Sequence, residues 1–489
     1  MDTMLDELDR GKPGATDAAP EQTNGAVHVA RRRRAAAIAA VALGIGALTA
    51  AGWRRTRIRR PGGRASPGRA PAGKDLAWSS PAVLADTPWR RFYDGRSVSG
   101  ATTIEDLRAM AHRRLPRFVL EYLEGGADGE ACLARNLEAL AEWRFMHRSL
   151  VDVSRRDIST VLWDRRMAMP IVIAPTGLNG IMWAHADLRL AEAAAEAGIP
   201  FAQSTMSNDP MERVARVSGL RHWWQLYVFG PRDIREHLID RAERAGCEAL
   251  IVTTDAQIFG NREWAKRLQS NPTHLSWTAR LDLLRHPRWL GERVLTHGLP
   301  RFENVIQFVP REHHGLLQSA HWIRSQMDRG LSWDTVAQIR DRWPRRLIVK
   351  GLLSVRDIEH AAEIGADAVA ISNHGGRQLD WAVAPIDILP EARRAVGKRI
   401  ALIVDGGMRR GTDILKALML GADTVFVGRA ALYGVAAAGR AGAKRALDIF
   451  REEIERDMGL LGVPDVAELD RRLLVKIGGG REAQPAEPY

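Results

Sequence analysis

From Pro170 onward the chain alternates between two kinds of segment. Short apolar runs, many of them rich in β-branched residues, lie at 171–174, 200–204, 223–228, 249–254, 346–350, 366–372, 401–405 and 424–428. Between most of them lies one amphipathic stretch with helical spacing, such as 187–197, 231–245 and 412–420. Apolar runs without polar alternation fit strands covered on both faces, as in a parallel sheet between helices. Eight such repeats predict an α/β fold, a (β/α)8 TIM barrel, with an open doubly wound sheet as the alternative. Thr103 with Asp106, and Ser354 with Asp357, have capping-box spacing and mark helix starts, the first opening a helical region over 104–124.

One interval breaks the rhythm. After the fourth strand, residues 256–331 form an insertion far longer than an ordinary βα loop. It carries Leu281, Leu283, Leu284, Trp289, Leu290, Val294 and Leu295 among Arg and His residues. Its entry at the barrel's catalytic mouth suggests a lid. The alternatives are an insertion packed on a neighbouring subunit and an amphipathic surface facing a membrane.

Upstream of the barrel the pattern is different. Residues 1–34 are polar and small, ending in Arg31–Arg34, and read as a disordered tail. Residues 35–53 are 19 uncharged positions, about enough for a transmembrane helix across a ~30 Å hydrocarbon core. A twin-arginine export signal and a plain basic tail are the competing readings. Residues 54–99, rich in Gly, Pro and Arg at their start, read as a linker, 100–475 as the barrel and 476–489 as a C-terminal tail. Arginines flank the apolar run on both sides, and the heavier downstream flank favours a cytoplasmic catalytic domain.

Charge sharpens this division. The chain has 71 basic and 59 acidic residues, a net +12. Residues 31–74 hold twelve of the basic residues and no acid, so the remainder is neutral. A basic excess confined to one short segment excludes a nucleic-acid-binding face spread over the folded part. Two cysteines, Cys132 and Cys247, exclude a disulfide framework and a Cys-based metal site.

In a barrel of this kind the active site is built at the carboxyl ends of the strands. Those ends carry Pro175, Thr176 and Gly177; Ser204; Gln225 and Tyr227; Thr253 and Asp255; Lys350; Ser372 and His374; Asp405, Gly406 and Gly407; and Gly428 with Arg429. The last two, with Met408 and Arg409, form Gly-rich turns beside arginines, which suits a phosphate. Alone they do not separate a nucleotide, a flavin or a sugar phosphate. The stretch Ser372-Asn-His-Gly-Gly-Arg-Gln-Leu-Asp380 is more specific. His374 is able to act as a base near neutral pH, and Arg377, with Arg262 after another strand, suits a carboxylate.

On these motifs the segment from about residue 100 to 475 resembles the FMN-dependent L-2-hydroxy-acid oxidases and dehydrogenases: glycolate oxidase, lactate oxidase, and lactate and mandelate dehydrogenases. The resemblance implies FMN as cofactor and His374 as base, with Asp255 orienting it. It implies Tyr122 and Tyr227 at the substrate carboxylate and hydroxyl, and Arg262 with Arg377 as a carboxylate clamp. Lys350 is expected beside the flavin pyrimidine, where it stabilises the reduced ring. Pro175, Thr176, Gly177, Ser204, Gln225, Thr253 and Ser372 fall at flavin-contact positions, and Asp405 to Arg409, Gly428 and Arg429 at the ribityl and phosphate positions.

Two departures bear on the substrate. Met206 stands where glycolate oxidases have Trp, and Ala-Gln-Ile-Phe-Gly follows Asp255 where many relatives have Pro and a basic residue. L-lactate is therefore the first expectation and an aromatic acid such as mandelate the second. Electrons are expected to pass to a quinone or cytochrome, with an oxygen-reducing oxidase as the alternative. A homo-oligomer, a tetramer by resemblance, is also implied. The rival enzymes are phosphate-binding barrels of the inosine-monophosphate-dehydrogenase or type 2 isopentenyl-diphosphate-isomerase kind. The first needs a nucleophilic Cys at the mouth, and residues 255–331 contain none. A membrane-tethered flavoprotein scaffold without turnover is the non-enzymatic alternative, and a single histidine, His28, in residues 1–100 speaks against a haem domain there.

Overall fold

The computed structural model describes residues 91–271 and 274–477. The expected tail 1–34, the run 35–53 and the linker as far as residue 90 lie outside the described residues, as does the C-terminal tail from residue 478. Among the described residues no helix is long and apolar enough to cross a membrane.

Eight parallel strands pair in chain order and close into a barrel. They are β1 (Ile171–Ile173), β2 (Pro200–Ser204), β3 (Arg221–Tyr227), β4 (Ala249–Thr253), β5 (Arg346–Leu352), β6 (Ala368–Ser372), β7 (Ala401–Asp405) and β8 (Thr424–Val427). The expected TIM barrel is thus the fold, and each strand falls on its apolar run. The helices expected at 187–197, 231–245 and 412–420 are Ala186–Ala197, Arg232–Arg244 and Gly411–Met419.

The strands lack polar alternation because both of their faces are buried. Outward residues such as Leu250, Val349 and Val404 join the main core against the helices, while Val172, Ala202, Trp223, Ala249, Ile348, Ala370 and Phe426 fill the barrel interior. Trp223 and Phe426 meet edge-on at 6.4 Å. Alanines at 202, 249, 368 and 370 leave room for these two rings, as close packing in a fixed ring of strands requires. A hairpin of Thr160–Leu162 and Arg165–Met167 adds to this interior cluster, and its turn residue Trp163 lies 5.3 Å from Trp223.

The helical region expected over 104–124 is two helices, α1 (Ile104–Arg114) and α2 (Arg117–Glu124). Pro116 divides them by forcing Leu115 into an extended conformation (φ −91°, ψ 140°). The capping box is present: the Asp106 N–H donates to Thr103 Oγ1 at 3.2 Å, and the Thr103 N–H donates to Asp106 Oδ2 at 2.9 Å. Ser354 Oγ likewise accepts from the Asp357 N–H at 3.4 Å.

The insertion after β4 is folded. Its described parts include a short helix (Glu263–Arg267), a strand pair (Gln269–Asn271 with His274–Leu275), α3 (Trp277–Leu284), a π-helical turn (Leu290–Leu295) and α4 (Leu316–Ser325). It is fastened to the loops after β1 and β2. Trp289 Nε1 donates to the Ile181 carbonyl at 3.0 Å, Arg293 Nε to the Gly180 carbonyl, and Asn304 Nδ2 to Ser207 Oγ at 3.0 Å. Trp289 and Val294 are buried and Leu283 and Leu290 partly so, whereas Leu281, Leu284 and Leu295 are exposed together with Trp277.

Because Trp223 is fully buried at the centre of the interior layer, Trp223→Ala is expected to cost about 3–5 kcal/mol. Chemical denaturation checks this, and a loss below about 1 kcal/mol would show that the interior collapses around the missing ring.

Candidate active site

The strand ends converge on one cavity with roughly 1160 Å³ of empty space, counting its open mouth. His374 stands just past β6 with φ +58°, and its N–H donates to Ser372 Oγ at 2.9 Å. Its imidazole lies between two groups from neighbouring strand ends. Nδ1–H donates to Asp255 Oδ1 at 3.0 Å, which leaves Nε2 as the lone-pair nitrogen, 3.4 Å from the Tyr227 hydroxyl. Burial lowers the His374 pKa below its ordinary 6.5; Asp255 works against that shift, and Lys350 and Arg262 add to it. Burial opposes ionisation of Asp255 as well, yet His374 and then Lys350 hold its carboxyl below the usual range. The pair therefore rests as a neutral imidazole beside a carboxylate. Burial, and next the Asp255 charge, push the Tyr227 phenol up, so it stays protonated.

A second polar layer supports this one. Lys350 Nζ lies 3.0 Å from Asp405 Oδ2 and donates to Ser372 Oγ at 3.1 Å, and Ser372 Oγ donates to Asp405 Oδ2 at 2.8 Å. Burial works against the Lys350 ammonium, but Asp405 and Asp255 more than offset it and raise its pKa. Across β2, β3 and β4, Ser204 Oγ donates to Gln225 Oε1 and Gln225 Nε2 to Thr253 Oγ1, both at 2.8 Å. Ser204, Gln225, Thr253 and Ser372 are buried at the strand ends, and Lys350, Pro175, Thr176 and Gly177 line the cavity.

The residues expected at the phosphate, Asp405, Gly406, Gly407, Met408, Arg409, Gly428 and Arg429, all line the same cavity. Gly407 has φ +83°, and a Cβ there would lie 2.7 Å from the Asn136 carbonyl oxygen, so the turn demands glycine. Gly428 precedes the helix that starts at Arg429 and is broken at Ala438 and Gly439, and its first-turn N–H groups begin at the cavity.

These residues fit FMN. Thr176 Oγ1 is buried in the wall with no partner among the described residues. Arg409 and Arg429 donate to backbone carbonyls and have no carboxylate partner there, so an anion is the missing counterpart. Burial and then the Arg409 charge push Arg429 down to about 10, which still leaves it cationic at neutral pH.

At the other end of the cavity, Tyr122 is flanked by the two expected clamp residues. The guanidinium centres of Arg377 and Arg262 lie 5.4 and 6.0 Å from its ring. Arg377 donates to the carbonyls of Tyr122 and Gly125 at 2.7 and 2.8 Å, and Tyr122 Oη donates to the Gly177 carbonyl at 2.9 Å. Met206 lines the wall, and a Cβ on Gly177 would stand 2.7 Å from its Cβ. The expected substrate and base residues are therefore brought together, with Asp255 one layer behind His374. Lining residues that were not anticipated include Phe259, Phe302, Met182, Ala320 and Arg324. Arg324 comes from α4 of the insertion, where nothing in the local pattern distinguishes it from a surface arginine.

Known proteins are similar to this chain in sequence and in fold. The FMN-dependent dehydrogenase family profile matches residues 111–476. An (S)-mandelate dehydrogenase from Pseudomonas putida is 42% identical over 369 residues, which are 75% of this chain and 92% of that protein. An L-lactate dehydrogenase from Caulobacter vibrioides is 37% identical over 383 residues, 76% of this chain and 97% of that protein. Among solved structures, one described as the monotopic membrane protein (S)-mandelate dehydrogenase superposes with a TM-score of 0.73 at 40% identity, covering 77% of this chain and 99% of its own. A mandelate oxidase with benzoyl-formic acid gives a TM-score of 0.62 at 31% identity, covering 76% and 97%. With the barrel, the phosphate cradle and the His374–Asp255 pair all inside the matched region, the chain belongs to the FMN-dependent 2-hydroxy-acid dehydrogenase family and takes FMN as its cofactor.

Proposed function

We propose that this protein oxidises an L-2-hydroxy acid to the 2-oxo acid with His374 as the base. The observation that carries the reading is His374 itself. Its Nδ1–H is committed to Asp255, and Nε2 opens on a cavity lined by Arg262 and Arg377. When bound, FMN supplies the acceptor for the substrate's two electrons. The arginines hold the carboxylate and so present one face of C2, which selects one enantiomer. Tyr227 Oη, next to Nε2, is placed to bond the substrate hydroxyl. His374 Nε2 takes a substrate proton, and the Asp255 carboxylate steadies the imidazolium that results. Lys350, tied to Asp405, keeps a positive charge against the cofactor side of the cavity.

Room at C2 sets the substrate. Met206 is flexible and less bulky than a Trp, and Met182, Phe302 and Ala320 continue the apolar wall. The geometry thus supports L-lactate and also larger acids such as (S)-mandelate, in keeping with the relatives of both names. For the acceptor we favour a quinone or a cytochrome, since the relatives above 35% identity carry dehydrogenase names. Association with a membrane through residues 35–53 goes with that acceptor. It is supported by the likeness to a monotopic membrane protein and by the exposed Trp277, Leu281, Leu284 and Leu295 of the insertion.

Three outcomes are expected. First, His374→Gln keeps FMN but slows substrate-driven flavin reduction by about 10²–10⁴-fold, read anaerobically by stopped flow. In the unaltered enzyme the rate falls with acid along a limb centred below pH 6.5, because the base must be neutral and burial lowers its pKa. Near-normal reduction by the variant, or a limb above pH 7, removes His374 from the role.

Second, L-lactate and (S)-mandelate both reduce the flavin faster than glycolate, and their D or (R) forms do not. A preference for glycolate over every larger acid would contradict the pocket assignment.

Third, the full-length protein stays with membranes through a high-salt wash and leaves in detergent, and its reduced flavin reacts faster with a soluble quinone than with oxygen. Release by salt alone, or faster oxidation by oxygen, overturns the corresponding half of the proposal.

A further inference from the structure

The insertion carries a cation that the reaction above does not use. Arg324, on α4, lines the cavity and is exposed to it. Its guanidinium centre lies 5.1 Å from the ring of Phe259, and that ring lies 6.1 Å from the Tyr227 ring. Arg324 is therefore one aromatic contact removed from the hydroxyl-facing tyrosine. Neither Arg324 nor Arg262 has a hydrogen-bond or ion-pair partner for its side chain among the described residues. The walls of the cavity, and then the Arg262 charge, work against the Arg324 cation. Guanidiniums stay protonated under such conditions, so the penalty is relieved by an anion and not by loss of the proton.

The charge count around the cavity points the same way. Six cations line it: Arg262, Arg324, Lys350, Arg377, Arg409 and Arg429. Asp405 offsets Lys350, Asp255 stands beside a neutral His374, and the FMN phosphate brings close to two negative charges. Two positive charges remain. A substrate with one carboxylate cancels one of them, and a second carboxylate cancels the other. Arg377 is already tied to the Tyr122 and Gly125 carbonyls, while Arg324 sits on the Phe259 side of the cavity, apart from that clamp and within reach of a longer C2 substituent.

We propose that Arg324 forms a second anion subsite, so that the enzyme favours L-2-hydroxy acids whose C2 substituent carries another carboxylate. The proposal rests on the reading of the cavity as a 2-hydroxy-acid site. Bonds made and broken at C2 are those of the reaction already described, and the second carboxylate takes no part in them. Its contribution is to binding and to alignment of the substrate.

The test compares charge at constant size in the FMN-loaded full-length protein. L-2-hydroxy diacids of four and five carbons are run against their ω-amides, with kcat/KM measured for each. The diacid is expected to exceed its amide roughly 10–10²-fold, the range for a hydrogen bond to a charged group. Arg324→Met should bring that ratio close to one, and Arg324→Lys should restore part of it. Equal kcat/KM for diacid and amide in the unaltered enzyme overturns the subsite without any variant. An Arg324→Met effect of equal size on lactate, amide and diacid overturns it too, because Arg324 then grips the carboxylate common to all three. Turnover of lactate or mandelate without a diacid preference refutes this inference alone. Absence of turnover with every 2-hydroxy acid refutes the reaction, and this inference with it.

Discussion

The pairing of β4 with β5 runs residue for residue from Ala249 and Arg346 to Thr253 and Lys350, across the longest excursion of the chain. That pairing completes the ring of strands, and the catalytic geometry hangs on it. Beyond its last rung, the Thr254 N–H and hydroxyl both donate to the Lys350 carbonyl, at 2.9 and 3.0 Å. Asp255 follows directly and meets Gly351, where φ is +108° and a Cβ would lie 2.7 Å from the Asp255 carboxyl carbon. Only a glycine there lets the carboxylate lie close enough to reach His374 on the next strand. Closure of the barrel and the protonation state of the base are thus consequences of one seam.

Around that seam the charges are arranged in layers. Asp255 beside the neutral His374 adds one negative charge, and Lys350 is compensated inside the protein by Asp405. The arginines nearer solvent are not: they face backbone carbonyls, aromatic rings or the open cavity. Partial compensation of this kind costs folding stability, because buried or crowded cations are left without carboxylates. It is also what a site needs if the ligands themselves are to complete the charge balance. The phosphate end and the carboxylate end obey the same rule with different donors, helix start and glycine turns at one, planar guanidiniums at the other.

Much of this was legible in the chain because closed parallel sheets leave strong marks. Strands covered on both faces must be continuously apolar, and strand ends must be polar where they meet at a site, so the eight runs and their last residues could be read directly. His374 and Arg377 stood out through their shared Gly-rich stretch. What could not be read was spatial depth. Ser204, Gln225 and Thr253 read in sequence as separate strand-end residues, yet hydrogen bonds join them across three strands, which no local pattern shows. Pro116 splits a helical pattern whose periodicity alone runs through it. Arg324 lies in an amphipathic helix of the insertion, and only tertiary packing on Phe259 turns it toward the cavity. The hairpin that carries Trp163 left no signal, since a strand of three residues is too short to show a period.

The insertion holds to the barrel partly through the main-chain carbonyls of Gly180 and Ile181, which accept from Arg293 and Trp289. Carbonyls are common to every amino acid, so this part of the attachment does not depend on which side chains the underlying loop displays. Selection is therefore free to vary that loop and the inner surface of the insertion separately, while the electron-transfer machinery on the strand ends is left as it stands. A change of side chain at Gly180 or Ile181 would leave both of these carbonyl acceptors in place.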